Sequence, residues 1–81
     1  MRALFFALIT KTSSGTVLDL GRMQSAVYAK FPTECEKLGF TVCVPIEEKW
    51  KKDARWALQD AKHQGLIKHV GSPKSGRWQR I

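Results

Sequence analysis

The sequence predicts a small α+β domain in which three helices precede a β-hairpin. Apolar residues recur at helical spacing through most of the chain up to Gln64, and a turn-rich segment separates two alternating runs after Gly65. The 81 residues, 43% of them hydrophobic, suit one globular domain over positions 1–81. A chain of this size buries roughly 60–65% of its unfolded surface, which leaves little room for both a core and a deep catalytic cleft.

The first helix is predicted over about residues 2–13. Leu4, Phe5, Leu8 and Ile9 lie on one face at 100° per residue. The segment "TKTSSG" is typical of a helix end, and "TVLDL" after it predicts a very short strand.

A second helix is predicted over about residues 19–31. Asp19 is a suitable N-cap, and Pro32 ends the helix because its ring cannot continue it. The apolar stripe of this helix consists of Leu20, Met23, Val27 and Phe31. The following "TECEKLGF" suggests one further helical turn, with Thr33 and Glu36 at capping-box spacing and Gly39 as terminator. "FTVCVPIEE" is then expected to be an irregular or extended linker.

The third helix, over about residues 48–64, has the clearest pattern. Its apolar face consists of Trp50, Ala54, Ala57, Leu58 and Ala61. The opposite flank is basic and polar, with Lys51, Lys52, Arg55, Gln59, Lys62 and His63. Gly65 lies where a left-handed residue commonly terminates a helix. The alanines should let this helix approach its neighbours closely.

The last segment, about residues 66–81, predicts a β-hairpin. "LIKHV" and "RWQRI" alternate apolar and polar residues around the turn-forming "GSPKSG". Ile67, Trp78 and Val70 are expected to face the core. The basic side chains are expected to reach water; these are Lys68, Lys74, Arg77 and Arg80.

The charge indicates the class of partner. Fourteen Lys and Arg against seven Asp and Glu give a net charge of +7, and more than half of the cations lie from Lys49 onwards. A one-sided basic surface attracts polyanions, so nucleic acid is the first partner to consider. The order of helix, short strand, helix, longer basic helix and hairpin is the plan of a winged helix-turn-helix domain, which places its last helix in a major groove and its hairpin, the wing, on flanking backbone.

A family resemblance lies in the last part of the chain. "ARWALQDAKHQGLIKHVGSPKSGRWQRI" resembles the end of the winged-helix domain of Mrr-type restriction proteins and the winged helix of methyladenine-dependent restriction endonucleases. The residues that carry the resemblance are Trp56, Ala57, Gly65, Leu66, Ile67, Gly76, Arg77, Trp78 and Ile81. It covers about the last thirty-five residues well, and the long "PTECEKLGFTVCVPIEE" connection departs from it. The resemblance implies a module that binds double-stranded DNA in a restriction system, attached to a nuclease domain and able to sense a methylated base.

The expected DNA contacts fall into two groups. In the recognition helix they are Lys51, Lys52, Arg55, Gln59 and Lys62; in the wing they are Lys68, Lys74, Ser75, Arg77 and Arg80. Arg55 and Gln59 are the candidates for base edges, because Arg pairs with guanine and Gln with adenine. Trp50 and Trp78 are expected in the core. Trp56 either packs against the first helix or the base of the wing, or forms an exposed platform for a base or methyl group.

We expect no catalytic residues, metal or cofactor. Glu47-x-Lys49 matches half of a PD-(D/E)xK nuclease site, but Asp19 is the only earlier Asp and no central sheet is predicted to bring the carboxylates together. Cys35 and Cys43 lack the close spacing of a zinc site and are expected to be ordinary thiols. The alternatives are a protein–protein adaptor and an RNA-binding winged helix.

The chain is expected to be intracellular, in a prokaryotic cytoplasm or nucleoid. "MRALFFALIT" is followed by Lys11 and by no A-x-A cleavage site, and no apolar run reaches the ~20 residues that span a bilayer.

Overall fold

A computed structural model describes residues 1–40, 47–71 and 76–81. Over these ranges the chain forms four helices and three strands, and the α+β class is confirmed. In chain order they are α1 (Arg2–Lys11), β1 (Val17–Leu18), α2 (Leu20–Lys30), α3 (Pro32–Leu38), α4 (Glu48–His63), β2 (Ile67–His69) and β3 (Trp78–Arg80). The prediction of three helices is wrong, because α3 is a helix of its own.

The boundaries of α1 and α2 follow from local chemistry. Thr12 is extended, with ψ 137°, so α1 ends two residues before the predicted position 13. The backbone N–H of Arg22 donates to the Asp19 carboxylate at 2.8 Å, which confirms Asp19 as the N-cap of α2. The predicted strand after "TKTSSG" is present as β1.

The start of α3 differs from the prediction. The helix begins at Pro32 with Phe31 as its N-cap and no side-chain cap, so the capping box of Thr33 and Glu36 is wrong. Proline suits the first helical turn because its missing N–H would find no partner there in any case. Pro32 therefore ends α2 and starts α3 at the same point. Gly39 terminates α3 at φ 71°, as predicted. The expected linker "FTVCVPIEE" lies mostly outside the described residues.

The long helix α4 packs closely on α1, which is its main partner. Ala54, Ala57 and Ala61 are fully buried and present only methyl groups to their neighbours. Gly65, at φ 73°, ends the helix as predicted, and the Leu66 N–H then donates to Ala61 O at 2.9 Å. The helix therefore runs straight into the strand that begins the hairpin.

The three strands form one antiparallel sheet in the order β1-β3-β2. The predicted pairing of "LIKHV" with "RWQRI" is confirmed, with Ile67 opposite Arg80 and His69 opposite Trp78. On its other edge β3 pairs with β1, placing Val17 opposite Gln79. A two-stranded hairpin is barely stable alone, and here β1 supplies the third strand.

The core lies between the helices and one face of the sheet. Phe40 packs edge-on against Phe5 and Trp50, with ring centroids 5.9 and 5.2 Å apart. Trp78 is 2% exposed and joins the sheet to this core, so the predictions that Trp50 and Trp78 are core residues are confirmed.

Candidate nucleic-acid interface

One flank of α4 is basic and faces solvent. Lys52, Arg55, Gln59 and Lys62 are exposed, whereas the alanines one or two positions away are buried. This is the amphipathic division that the sequence predicts. The basic flank is therefore held in place by the packing of the opposite face on α1.

A groove separates this flank from the hairpin. It encloses a volume of about 300 Å³, and its lining combines residues of α2, α4, β2 and β3. The lining residues are Leu20, Arg55, Leu58, Gln59, Lys62, Ile67, Lys68, His69, Gly76, Arg77 and Trp78. None of these residues is acidic, and five of the ten proposed DNA contacts are among them. Two segments that the sequence assigned to DNA separately thus share one surface.

A second, shallower hollow lies on the other side of Arg55 and Gln59. Its volume is about 330 Å³, and it is lined by Lys52, Arg55, Trp56 and Gln59. Because Arg55 and Gln59 line both hollows, they form the ridge between them.

The sequence left open whether Trp56 packs against another element or is exposed, and in the structure it does both. Its side chain is 48% exposed, yet the Arg2 guanidinium lies 5.3 Å from its ring centroid. Two hydrogen bonds of 2.9 Å from Arg2 to the Asp60 carboxylate fix that guanidinium. Trp56 therefore contacts the start of α1 through Arg2 and still presents aromatic surface to the second hollow.

Arg80 is engaged by backbone carbonyls of the fold, whereas the sequence predicted that its side chain extends freely into water. Its guanidinium is partly buried and donates to Ile9 O at 3.2 Å, Leu66 O at 3.0 Å and Ile81 O at 3.1 Å. Arg80 and Trp78 are two residues apart on β3, so their side chains share one face of the sheet. Because successive side chains of a strand point to opposite faces of the sheet, Arg80 lies on the same side as Trp78, against the helices. Its assignment as a wing contact is therefore not supported by its surroundings.

Three further predicted DNA contacts are Lys51, Lys74 and Ser75. Lys51 Nζ lies 2.9 Å from Glu48 Oε1, and this hydrogen bond lowers the pKa of the Glu48 carboxyl below its ordinary value. An exposed ion pair of this kind is weak, so Lys51 can exchange Glu48 for another anion. Lys74 and Ser75 lie outside the described residues.

Cys35 is buried in the core, its thiol lies 3.7 Å from Val27 O, and burial raises the pKa of that thiol. Within residues 1–40, 47–71 and 76–81, no group of three or more His, Cys, Asp or Glu side chains converges as metal ligands would. Among the same residues, no helix has the length and apolar character to cross a bilayer.

Comparison with known proteins adds no relative. No protein-family model, curated protein or solved structure matches this chain.

The sequence did not predict the apolar floor of the groove. Leu58 borders the basic flank of α4, and Ile67 and Trp78 come from the sheet, so only tertiary packing brings them into one groove with the same cations. Leu20 is a member of the apolar stripe of α2, yet it lies at the groove. The sequence contained one indication of this floor, because Leu58 lies at the edge of the apolar face of α4, directly before the exposed Gln59.

Proposed function

We propose that this chain is a double-stranded DNA-binding module that performs no catalysis itself. The observation that carries the proposal is the shared groove. Arg55 and Lys62 of α4 face Lys68 and Arg77 of the hairpin across it, and none of the described residues in the lining is acidic. A polyanion bound to this surface is attracted by the cations of both α4 and the hairpin, and its binding releases counterions.

The architecture we propose is a winged helix-turn-helix. The order of α1, β1, α2, α4 and the β2–β3 hairpin supports it, and so does a sheet in which β1 joins the hairpin. In this arrangement α4 is the recognition helix and the hairpin is the wing. The short α3 lies in the connection between α2 and α4.

The residues then take different roles. Arg55 and Gln59 lie on the ridge and are the candidates for base edges. The phosphate contacts are assigned to exposed cations on either side, namely Lys52, Lys62, Lys68 and Arg77. Lys74 and Ser75 are assigned to phosphate by sequence alone.

Salt dependence tests the proposal. Four or five phosphate contacts predict a slope of about −4 in log K against log salt, because each contact contributes about −0.9. We expect fluorescence anisotropy of a labelled duplex to give this slope, and Lys62→Gln to reduce its magnitude by about 1. Lys37→Gln, an exposed cation on α3, is the matched control and should leave the slope unchanged. Absence of duplex binding at low salt would refute the proposal.

We further propose that the module is the specificity domain of a restriction endonuclease whose nuclease domain is attached to it. This part is supported by the resemblance of the last thirty-five residues to restriction winged helices. The test is selection from random duplexes, run in parallel with unmethylated, adenine-methylated and cytosine-methylated pools. Enrichment of one site in one pool supports a specificity domain, and equal recovery of all sequences contradicts it.

A further inference from the structure

The groove between α4 and the hairpin differs from an ordinary phosphate-binding surface in its floor. Leu58 and Leu20 are partly exposed there, and the almost fully buried Ile67 and Trp78 lie beside them in the lining. The charged groups belong to the surrounding side chains of Arg55, Lys62, Lys68 and Arg77. Phosphate contacts alone require cations and backbone donors, and they gain nothing from an apolar floor. The surface instead suits a partner that is apolar in one part and anionic in another.

The volume and the charge of the groove further restrict the class of partner that it suits. About 300 Å³ is at the lower end of the range of small-ligand sites, which is about 300–1,000 Å³. An α-helix with side chains is about 10–12 Å across, so only part of one face of an amphipathic helix would enter such a space. The described lining carries cations and no carboxylate, which favours an anionic partner. One nucleotide satisfies both conditions, since it joins a flat ring system to a charged phosphate.

We propose that the groove receives one unpaired nucleotide of a DNA strand, with its base on the apolar floor and its phosphates beside the cations. This proposal rests on the proposed DNA binding and defines the class of target more narrowly. The cost of moving a base out of the stack is lowest where that base is already unpaired. The preferred targets are therefore duplexes with a bulged or mispaired nucleotide.

Three labelled duplexes of one sequence test the proposal. The first is fully paired, the second carries one bulged 2-aminopurine nucleotide, and the third carries an abasic residue at the same bulge. The third duplex has the bent backbone of the second but no base. We expect the second to bind about tenfold more tightly than the other two, equivalent to about 1.4 kcal/mol. The fluorescence of 2-aminopurine should also change on binding as the base enters the groove.

Two matched substitutions locate the effect. Leu58→Gln removes apolar floor without changing charge, and it should abolish the preference for the bulge while retaining binding to the paired duplex. Leu38→Gln is the same change at a 48% exposed position on α3 outside the groove, and it should keep the preference. Thermal melting of both variants establishes that they are folded. If Leu58→Gln does not fold, the affinities of the unmodified protein for the three duplexes still show whether it prefers a bulged nucleotide.

The outcomes separate the two proposals. Equal affinity for all three duplexes refutes the nucleotide site and leaves DNA binding intact. Failure to bind any of them refutes both. A bulge preference that survives in a folded Leu58→Gln variant places the base elsewhere and overturns the assignment to this groove. Equal duplex affinities together with Leu58-dependent binding of a Glu- and Leu-rich peptide would identify an acidic peptide as the occupant instead.

Discussion

Replacing Arg80 by methionine distinguishes a structural arginine from a DNA-binding one. The guanidinium donates to carbonyls at the end of α1 and at the start of the hairpin, Ile9 O at 3.2 Å and Leu66 O at 3.0 Å. Arg80→Met keeps much of the aliphatic stem and removes every donor. The substitution therefore tests the hydrogen bonds with little change in packing.

The expected destabilisation follows from what remains after the substitution. Hydrogen bonds to a charged group contribute about 1.5–3 kcal/mol each when removal leaves a buried partner unsatisfied. Here both carbonyls keep another donor: Thr12 N–H donates to Ile9 O at 3.1 Å, and Ile81 N–H donates to Leu66 O at 2.8 Å. The site is also partly exposed, so the lower range applies, about 0.5–1.5 kcal/mol for each of the two bonds. We expect a loss of about 1–3 kcal/mol in the free energy of unfolding.

Thermal melting and DNA titration measure the two possibilities separately. A loss of 1 kcal/mol lowers Tm by about 4–8 °C in a domain of this size, so Arg80→Met should lower Tm by about 5–20 °C. Its affinity for a duplex, measured well below Tm, should stay within about twofold of the original because the side chain is engaged internally. Lys68→Met on the same sheet should show the reverse, with little change in Tm and weaker binding. An Arg80→Met protein with unchanged Tm and tenfold weaker DNA binding would refute the reasoning.

Three other substitutions or reactions test separate parts of the molecule. Arg55→Ala should cost about 1–3 kcal/mol of binding free energy and relax sequence preference, whereas Lys68→Ala should weaken all sequences alike; a binding selection with each variant checks this. Asp19→Ala should lower the free energy of unfolding by about 1 kcal/mol through loss of the α2 cap, with Asp19→Asn close to the original protein in urea denaturation. Because burial raises the pKa of Cys35, the folded state holds the thiol proton more tightly than the unfolded state. The contribution of the neutral thiol to the free energy of unfolding is therefore fully present at a pH below the unfolded-state pKa of Cys35, and it is lost as the pH rises above that pKa. Mass spectrometry should also show slow iodoacetamide labelling of Cys35 in the folded protein.

The sequence predicted elements whose signals are local. Asp19 caps the helix directly after it, Gly65 ends the helix directly before it, and alternation in "LIKHV" and "RWQRI" indicates two strands. The start of α3 was missed because Pro32 was taken only as the end of one helix. A proline is equally suited to begin the next helix, and only the structure distinguishes these uses.

The parts of the interface that depend on distant residues were not predictable in the same way. Arg80 and Ile9 are far apart in the chain, and nothing in either segment indicates their hydrogen bond. The position of Arg2 between Trp56 and Asp60 is of the same kind. The groove floor required the hairpin to fold back beside Leu58, which is a property of the α4–β2 junction. Charge and periodicity thus located the basic surface, and packing determined its shape.

The position of β3 has a consequence for how the proposed DNA-binding surface is maintained. This strand comes after every other described element in the chain, yet it lies in the middle of the sheet. Arg80 N–H donates to Thr16 O at 2.9 Å, and Gly15 N–H donates to Arg80 O at 2.7 Å. Through these hydrogen bonds, the segment that precedes α2 therefore stabilises the position of the strand that carries Trp78. A peptide containing only α4 and the hairpin would keep every proposed contact residue from Lys51 onwards, and would still lose the support that fixes one wall of the groove.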